Sequence, residues 1–199
     1  MINFVVMASG SGSTFEALAK KLKKSKTAKI AAVISNKQDA KVLTRAKNLG
    51  IEGFFVDHKQ PQENIDAEIK KIISNKSAQF VMLLGYLKKI SQELVDILPI
   101  YNIHPAYDIH KYGGKGMYGL NVHKAIVETR ESYSGATIHK VNSIYDDGKI
   151  LMQTKKVKVK KTDTPEQLAA RVLKQEHKLV PKFINQIVSK MQSKTSQNT

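Results

Sequence analysis

Cysteine is absent from all 199 residues. The chain therefore has no disulfide framework, no thiol nucleophile and no thiolate metal site, and its redox compartment is left open. Long hydrophobic runs are missing as well. The apolar run inside the N-terminal MINFVVMASGSGST is about six residues, too short for a secretory signal, and nothing approaches the roughly 20 apolar residues that span a bilayer. A soluble, cytoplasmic protein with no membrane partner is the expectation. Acidic residues are scarce: 17 Asp and Glu face 33 Lys and Arg, a formal net charge of +16. Such an imbalance favours anionic partners, whether phosphates, nucleic acid or polyglutamyl tails. Much of it sits in Lys20–Lys29 and Lys155–Lys161. No aromatic residues interleave these lysines, as stacking on bare bases requires, so they read as solvated faces and nucleic acid is not the expected partner. No HExxH motif occurs, and His58, His110 and His123 lack metal-ligand spacing, so no metal is expected.

What is present is a globular composition, 41% hydrophobic and 25% charged, on a chain long enough to bury one continuous core. Short apolar runs at Asn3–Ala8, Lys29–Ser35, Gly53–Val56, Gln79–Leu84 and Ile100–His104 read as strands. Helical stretches alternate with them: one after Thr14, then Asp39–Leu49 stopped by Gly50, Glu63–Ser74, and Ser91–Leu98. This alternation predicts an α/β fold, with a mostly parallel twisted sheet flanked by helices on both faces. Past Pro105 the pattern changes. Tyr107–Leu120 is glycine-rich and irregular, Asn121–Thr129 is helical, and Ser134–Val141 and Lys149–Val159 flank Tyr145-Asp146-Asp147-Gly148 as an antiparallel C-terminal hairpin. That makes about seven strands. A closing helix over Thr164–Met191 is capped by Asp163 or Thr164, with Pro165 at its first position and Pro181 expected to kink or divide it. A single domain over 1–192 and a polar, disordered tail over 193–199 are expected.

Three places could carry chemistry. Ser9–Thr14 joins the first strand to the first helix, where glycines allow close backbone approach and the helix offers free N–H groups to an anion. It lacks the third glycine of a dinucleotide fingerprint and the Gly-Lys-Ser/Thr of a P-loop, so it is a single-phosphate cradle or a plain capped turn. Asn102 and His104 alternate on one side of a strand ending in Pro105, at the sheet edge where α/β proteins bind ligands. An amide beside an imidazole can stabilise an oxyanion and manage a proton. Asp146 and Asp147 suit a hairpin turn, yet a carboxylate near His104 would raise the imidazole pKa and favour its charged form. His139, in an alternating strand, reads as structural; Glu176-His177 on the closing helix could be a solvated pair. Gly113–Gly119 is flexible enough for a lid.

Taken in order, the series SGSGS after the first strand, SNK at Ser35–Lys37, LGYLKKIS at Leu84–Ser91, NIHP at Asn102–Pro105, SGATIH at Ser134–His139, YDDG at Tyr145–Gly148 and ARVLKQEH at Ala170–His177 resembles the glycinamide ribonucleotide formyltransferase family from Met1 to about Val188. The resemblance implies the formyltransferase fold and a reaction in which 10-formyltetrahydrofolate, a co-substrate, gives its formyl group to the amine of glycinamide ribonucleotide in de novo purine biosynthesis. It implies that His104 stabilises the oxyanion and shuttles a proton, that Asn102 donates to the oxyanion, and that Asp146 keeps His104 protonated. Gly12, Ser13 and Thr14 would hold the ribonucleotide phosphate and Glu176 its sugar or glycinamide side. Leu87, Lys88, Lys89 and Ile90, with Asn102, Asn142, Ser143, Ile144, Tyr145 and Asp146, would line the folate pocket. The partners are then two small anions, and the chain a monomer or homodimer. Alternatives are a formyltetrahydrofolate hydrolase or methionyl-tRNA formyltransferase, whose usual extra N- or C-terminal domains are not expected here, and a non-catalytic basic module that binds nucleic acid. The chain departs from the family pattern at three places. Thr14 stands where Asn is frequent, and Gln62 where an arginine commonly meets the folate glutamate. The run Ala106–His110 lacks the usual Leu-Leu-Pro and is one residue longer.

Overall fold

The computed structural model describes residues 1–197, with side chains through Ser193. Strands β1 (Ile2–Met7), β2 (Ala28–Ser35), β3 (Gly53–Phe55), β4 (Phe80–Leu83) and β5 (Ile100–His104) run parallel. Two antiparallel strands, β7 (Thr137–Lys140) and β8 (Ile150–Gln153), complete one seven-stranded sheet in the order β3-β2-β1-β4-β5-β7-β8. A short pair, β6 (Tyr133–Ser134) with β9 (Val157–Lys158), forms a second sheet. The expected fold class and the antiparallel hairpin are therefore found. The two hairpin arms are shorter than expected because the Thr154 side chain enters the ladder: its hydroxyl accepts from Ala136 N–H at 2.9 Å, and the outer arm ends pair separately as β6 and β9.

Alternation along each strand divides the core in two. Phe4, Val6, Met82, Tyr101 and Ile103 face the helices α1 (Ser13–Leu22), α2 (Lys41–Asn48), α6 (Leu120–Glu128) and α7 (Pro165–Gln197), which supply Phe15, Leu18, Val42, Ile126, Val172 and Phe183. Val5, Met7, Ile34, Val81 and Leu83 face the opposite layer, α3 (Gln62–Asn75) and α4 (Gln92–Ile97), through Ile65, Ile69, Ile72 and Leu94. The chain leaves β1 toward β2 and β3, then returns to place β4 and β5 on the other side of β1. Between β1 and β4 lies the switch point at which such sheets open a crevice beyond their carboxyl ends.

Two elements differ from expectation. Ile109–Tyr112 is a short helix, α5, inside the stretch expected to be irregular. The Asp108 carboxylate caps it by accepting from the N–H groups of His110 and Lys111, both at 3.1 Å, and Ile109 and Tyr112, one turn apart, are buried. Helix α7 opens as expected at Pro165, with Thr164 and Gln167 bonding each other's backbone N–H in a capping box. It then continues unbroken through Pro181. A proline has no N–H for the carbonyl four residues back, which is that of His177. Lys21 Nζ on α1 donates to that carbonyl at 3.2 Å. The expected tail begins as a continuation of α7, helical to Gln197 because no glycine or proline stops it; residues 198 and 199 lie outside the described residues.

Candidate active site

A cavity of about 660 Å3 opens at the carboxyl ends of β1, β4 and β5, within the size range of small-molecule sites. Its floor begins at Gly12, the N-cap of α1, whose φ of 71° is left-handed. A Cβ at Gly12 would meet Val42 Cγ2 at 2.6 Å, so only glycine lets the loop turn here and pass against α2. The first backbone N–H groups of α1 point out of the helix end, as anion sites require. Across the cavity stands Glu176 on α7, which accepts from the Thr14 hydroxyl at 3.3 Å. Burial raises the Glu176 pKa to about 7, and the Thr14 bond only partly opposes it.

On the other wall, β5 brings Asn102 and His104 to the cavity, as alternation predicts. Asp146 reaches them from the loop between β7 and β8, with a left-handed φ of 52°. Aspartate tolerates that conformation better than most residues. Asp146 Oδ1 lies 3.5 Å from His104 Nδ1 and 3.4 Å from His139 Nε2, and it accepts from Asn102 Nδ2 at 3.1 Å. Its Oδ2 accepts from Gly114 N–H at 3.0 Å. Gly113 permits this approach, since a Cβ there would sit 2.7 Å from Asp146 Cβ. The expected amide, imidazole and carboxylate thus converge. Burial alone would raise the Asp146 pKa; the His139 hydrogen bond, the His104 charge and the Gly114 N–H together hold it below the usual aspartate value.

The protonation of His104 departs from expectation. Burial is the largest influence and lowers its pKa, and the nearby Asp146 charge and the Tyr112 carbonyl only partly restore it. The resting imidazole is therefore biased toward the neutral form rather than held charged. The Asn102 amide also differs from its expected posture: Nδ2 lies 3.1 Å from His139 Nε2 as well as from Asp146, and it donates to that nitrogen only in the His139 tautomer whose Nε2 is bare.

Of the expected folate-lining residues, Leu87, Lys88, Lys89, Ile90, Asn102, Asn142, Ile144, Tyr145 and Asp146 line the cavity, and Ser143 does not. Gly12, Ser13, Thr14 and Glu176 line it too. Gln62 is turned away, donating to the buried Asp66 carboxylate at 2.8 Å. Two cavity histidines lie outside the expected set. His139 is directly opposite Asn102 across the β5–β7 pairing. His123 on α6 is buried, its Nδ1 has no hydrogen-bond partner among the described residues, and burial, then repulsion from His104, lowers its pKa to about 4. The period-two pattern Thr137, His139, Val141 offered a signal for His139. For His123 the sequence held none.

Fold and site together define an α/β protein in which a glycine loop at a helix N-terminus and a cluster of amide, imidazole and carboxylate groups share one cavity. The chain belongs to the formyl transferase family, whose model matches residues 2–184. The chloroplastic phosphoribosylglycinamide formyltransferase of Arabidopsis thaliana is 40% identical over 188 residues, 92% of this chain and 64% of that protein. The phosphoribosylglycinamide formyltransferase of Escherichia coli is 31% identical over 189 residues, 92% of this chain and 86% of that protein. Among solved structures, glycinamide ribonucleotide transformylase 1 from Symbiobacterium toebii superposes with a TM-score of 0.86 at 28% identity, covering 95% of this chain and 88% of that one. The chain spans 57% to 64% of the length of the plant relatives it matches. Among the described residues no helix is long and apolar enough to cross a membrane.

Proposed function

We propose that this chain transfers the formyl group of 10-formyltetrahydrofolate to the amine of glycinamide ribonucleotide, in the cytoplasm and as a step of purine biosynthesis. One observation carries the reading: a single cavity joins the glycine loop at the head of α1 to the Asn102, His104 and Asp146 cluster, so a phosphorylated acceptor and a formyl donor can meet over one carbonyl carbon. In this reading the ribonucleotide phosphate lies on Gly12, Ser13 and Thr14, with Glu176 accepting from its sugar or glycinamide side. The reduced folate lies between Leu87–Ile90 and the loop holding Asn142, Ser143, Ile144, Tyr145 and Asp146. The arginine expected to meet a folate glutamate is replaced by lysines, Lys88 and Lys89 lining the mouth.

The amine nitrogen attacks the formyl carbon, and the carbonyl electron pair moves onto oxygen. Asn102 Nδ2 donates to that oxygen by exchanging its His139 contact for it. His104 accepts at Nδ1 the proton released by the attacking nitrogen, and as imidazolium beside Asp146 it faces the oxyanion. Collapse of the intermediate breaks the bond to the folate N10, which leaves with the proton His104 returns. No step asks for a metal.

The folate absorbance change tests this. With glycinamide ribonucleotide present, free folate should form at an enzymatic rate, and with water alone at a rate at least about 100-fold lower, the span that acid–base catalysis alone supplies. Equal rates in the two arms would make the chain a hydrolase and overturn the reading.

A further inference from the structure

The imidazole of His104 is held by a backbone group from α5. His104 Nε2 lies 2.7 Å from the Tyr112 carbonyl oxygen, on α5. A carbonyl only accepts, so Nε2 must carry the proton. A neutral His104 then presents the bare lone pair of Nδ1 toward the cavity and Asp146 Oδ1. Asp146 has the opposite preference: its carboxylate would draw the single proton of a neutral imidazole onto Nδ1. The position of the Tyr112 carbonyl therefore decides whether Nδ1 is open to take a proton from substrate.

Tyr112 is fixed from its other end. The residue is 5% exposed. Its hydroxyl is 2.6 Å from the Thr129 hydroxyl and donates to Glu131 Oε1 at 2.8 Å. Lys111 Nζ, which lies over the Tyr112 ring, donates to the same Glu131 oxygen at 2.6 Å. With the Tyr112 hydroxyl hydrogen directed at Glu131, the Thr129 hydroxyl, at the C-terminal end of α6, donates to the Tyr112 oxygen. One side chain thus ties α5 to the end of α6 while its own carbonyl meets His104. The hydroxyl clamp therefore holds α5 against the end of α6.

We propose that Tyr112 is a positioning residue for His104: clamped by Thr129 and Glu131, it sets the imidazole tautomer that leaves Nδ1 free to accept the substrate proton. The charged and titratable groups facing His104 are Asp146, His139 and His123, and none of them offers Nε2 a competing acceptor. This inference rests on the catalytic role given to His104 above.

The test is Tyr112→Phe, which keeps ring, volume and carbonyl and removes only the clamp. The ring-nitrogen NMR shifts of His104 in 15N-labelled protein report the tautomer without any turnover. Wild type should show protonated Nε2; Tyr112→Phe should shift a substantial fraction to protonated Nδ1, with kcat lower by about 10-fold and both KM values within about twofold, the size of effect expected of partly lost acid–base catalysis. Glu131→Ala should follow Tyr112→Phe, and Glu131→Gln, which keeps an acceptor for the hydroxyl, should restore the wild-type tautomer; the Glu131 pair keeps the question answerable if Tyr112→Phe fails to fold. A tautomer unmoved in the folded variants, even with a lower melting temperature, would reduce Tyr112 to a packing residue and overturn the proposal. A wild type inactive toward glycinamide ribonucleotide would instead sink the functional reading while leaving the tautomer result intact.

Discussion

Two carboxylates in the cavity have their pKa values shifted in opposite directions. Asp146 is kept ionised by donors, whereas Glu176, with one weak hydroxyl partner, has its pKa raised to about 7. The direction of the Glu176 shift fixes the sign of its effect on stability. With a native pKa above the unfolded 4.5, the folded state binds more protons than the unfolded one, so stability is lost as pH rises between 4.5 and about 7 and is level beyond. A glutamine in its place would carry no such penalty. Glu176→Gln should therefore be more stable than wild type at pH 8, by on the order of 1–3 kcal/mol, and nearly equal to it at about pH 4.5, where the unfolded carboxyl is half protonated. Urea melts at the two pH values check this; a stability difference that does not grow with pH would mean that Glu176 ionises normally. The same variant should weaken ribonucleotide binding, since the amide keeps only part of the acceptor geometry.

At the scale of elements, α7 is the informative case. A proline inside a helix costs about 3 kcal/mol where nothing compensates, and the expectation that Pro181 would kink or divide the helix followed from that cost. Packing overrides it: Leu179, Val180, Phe183 and Ile184 are buried on either side of Pro181, and Lys21 supplies the donor that the proline lacks. Lys21→Met should destabilise the protein by about 1 kcal/mol, the net worth of one hydrogen bond, and by clearly less in a Pro181→Ala background, where a new N–H takes the His177 carbonyl. A double-mutant cycle reads the coupling; additive costs would show that Lys21 does not serve that carbonyl. Elements of this kind also mark what can be read ahead of the structure. The parallel strands were legible because continuous apolar runs alternate with helical spacing, and Asn102 and His104 because period two puts them on one side. α5 was hidden by its glycine-rich surroundings, although Asp108 before Ile109 and Tyr112 is a cap followed by two apolar residues one turn apart. His139 was read as structural because its place opposite Asn102 is a matter of register between strands 37 residues apart. Burial, which keeps His104 biased toward neutrality, is likewise a property of the folded cavity and not of the segment.

At the scale of the whole molecule, the sheet order explains why the site lies where it does. Splitting the chain to either side of β1 opens the crevice, the parallel strands deliver their loops to one edge, and the antiparallel β7–β8 hairpin carries Asp146 back over β5. The net charge of +16 gives a surface that attracts anions from a distance. His104 lies in the one cavity that joins the glycine loop to the Asn102 and Asp146 cluster, which makes His104→Ala the most direct test of the proposed function. Single-turnover kinetics with separately measured binding of each substrate should show formyl transfer slowed by at least about 100-fold, in the range of lost acid–base catalysis, with both dissociation constants within about threefold of wild type. Transfer that continues at the wild-type rate in that variant would contradict the account.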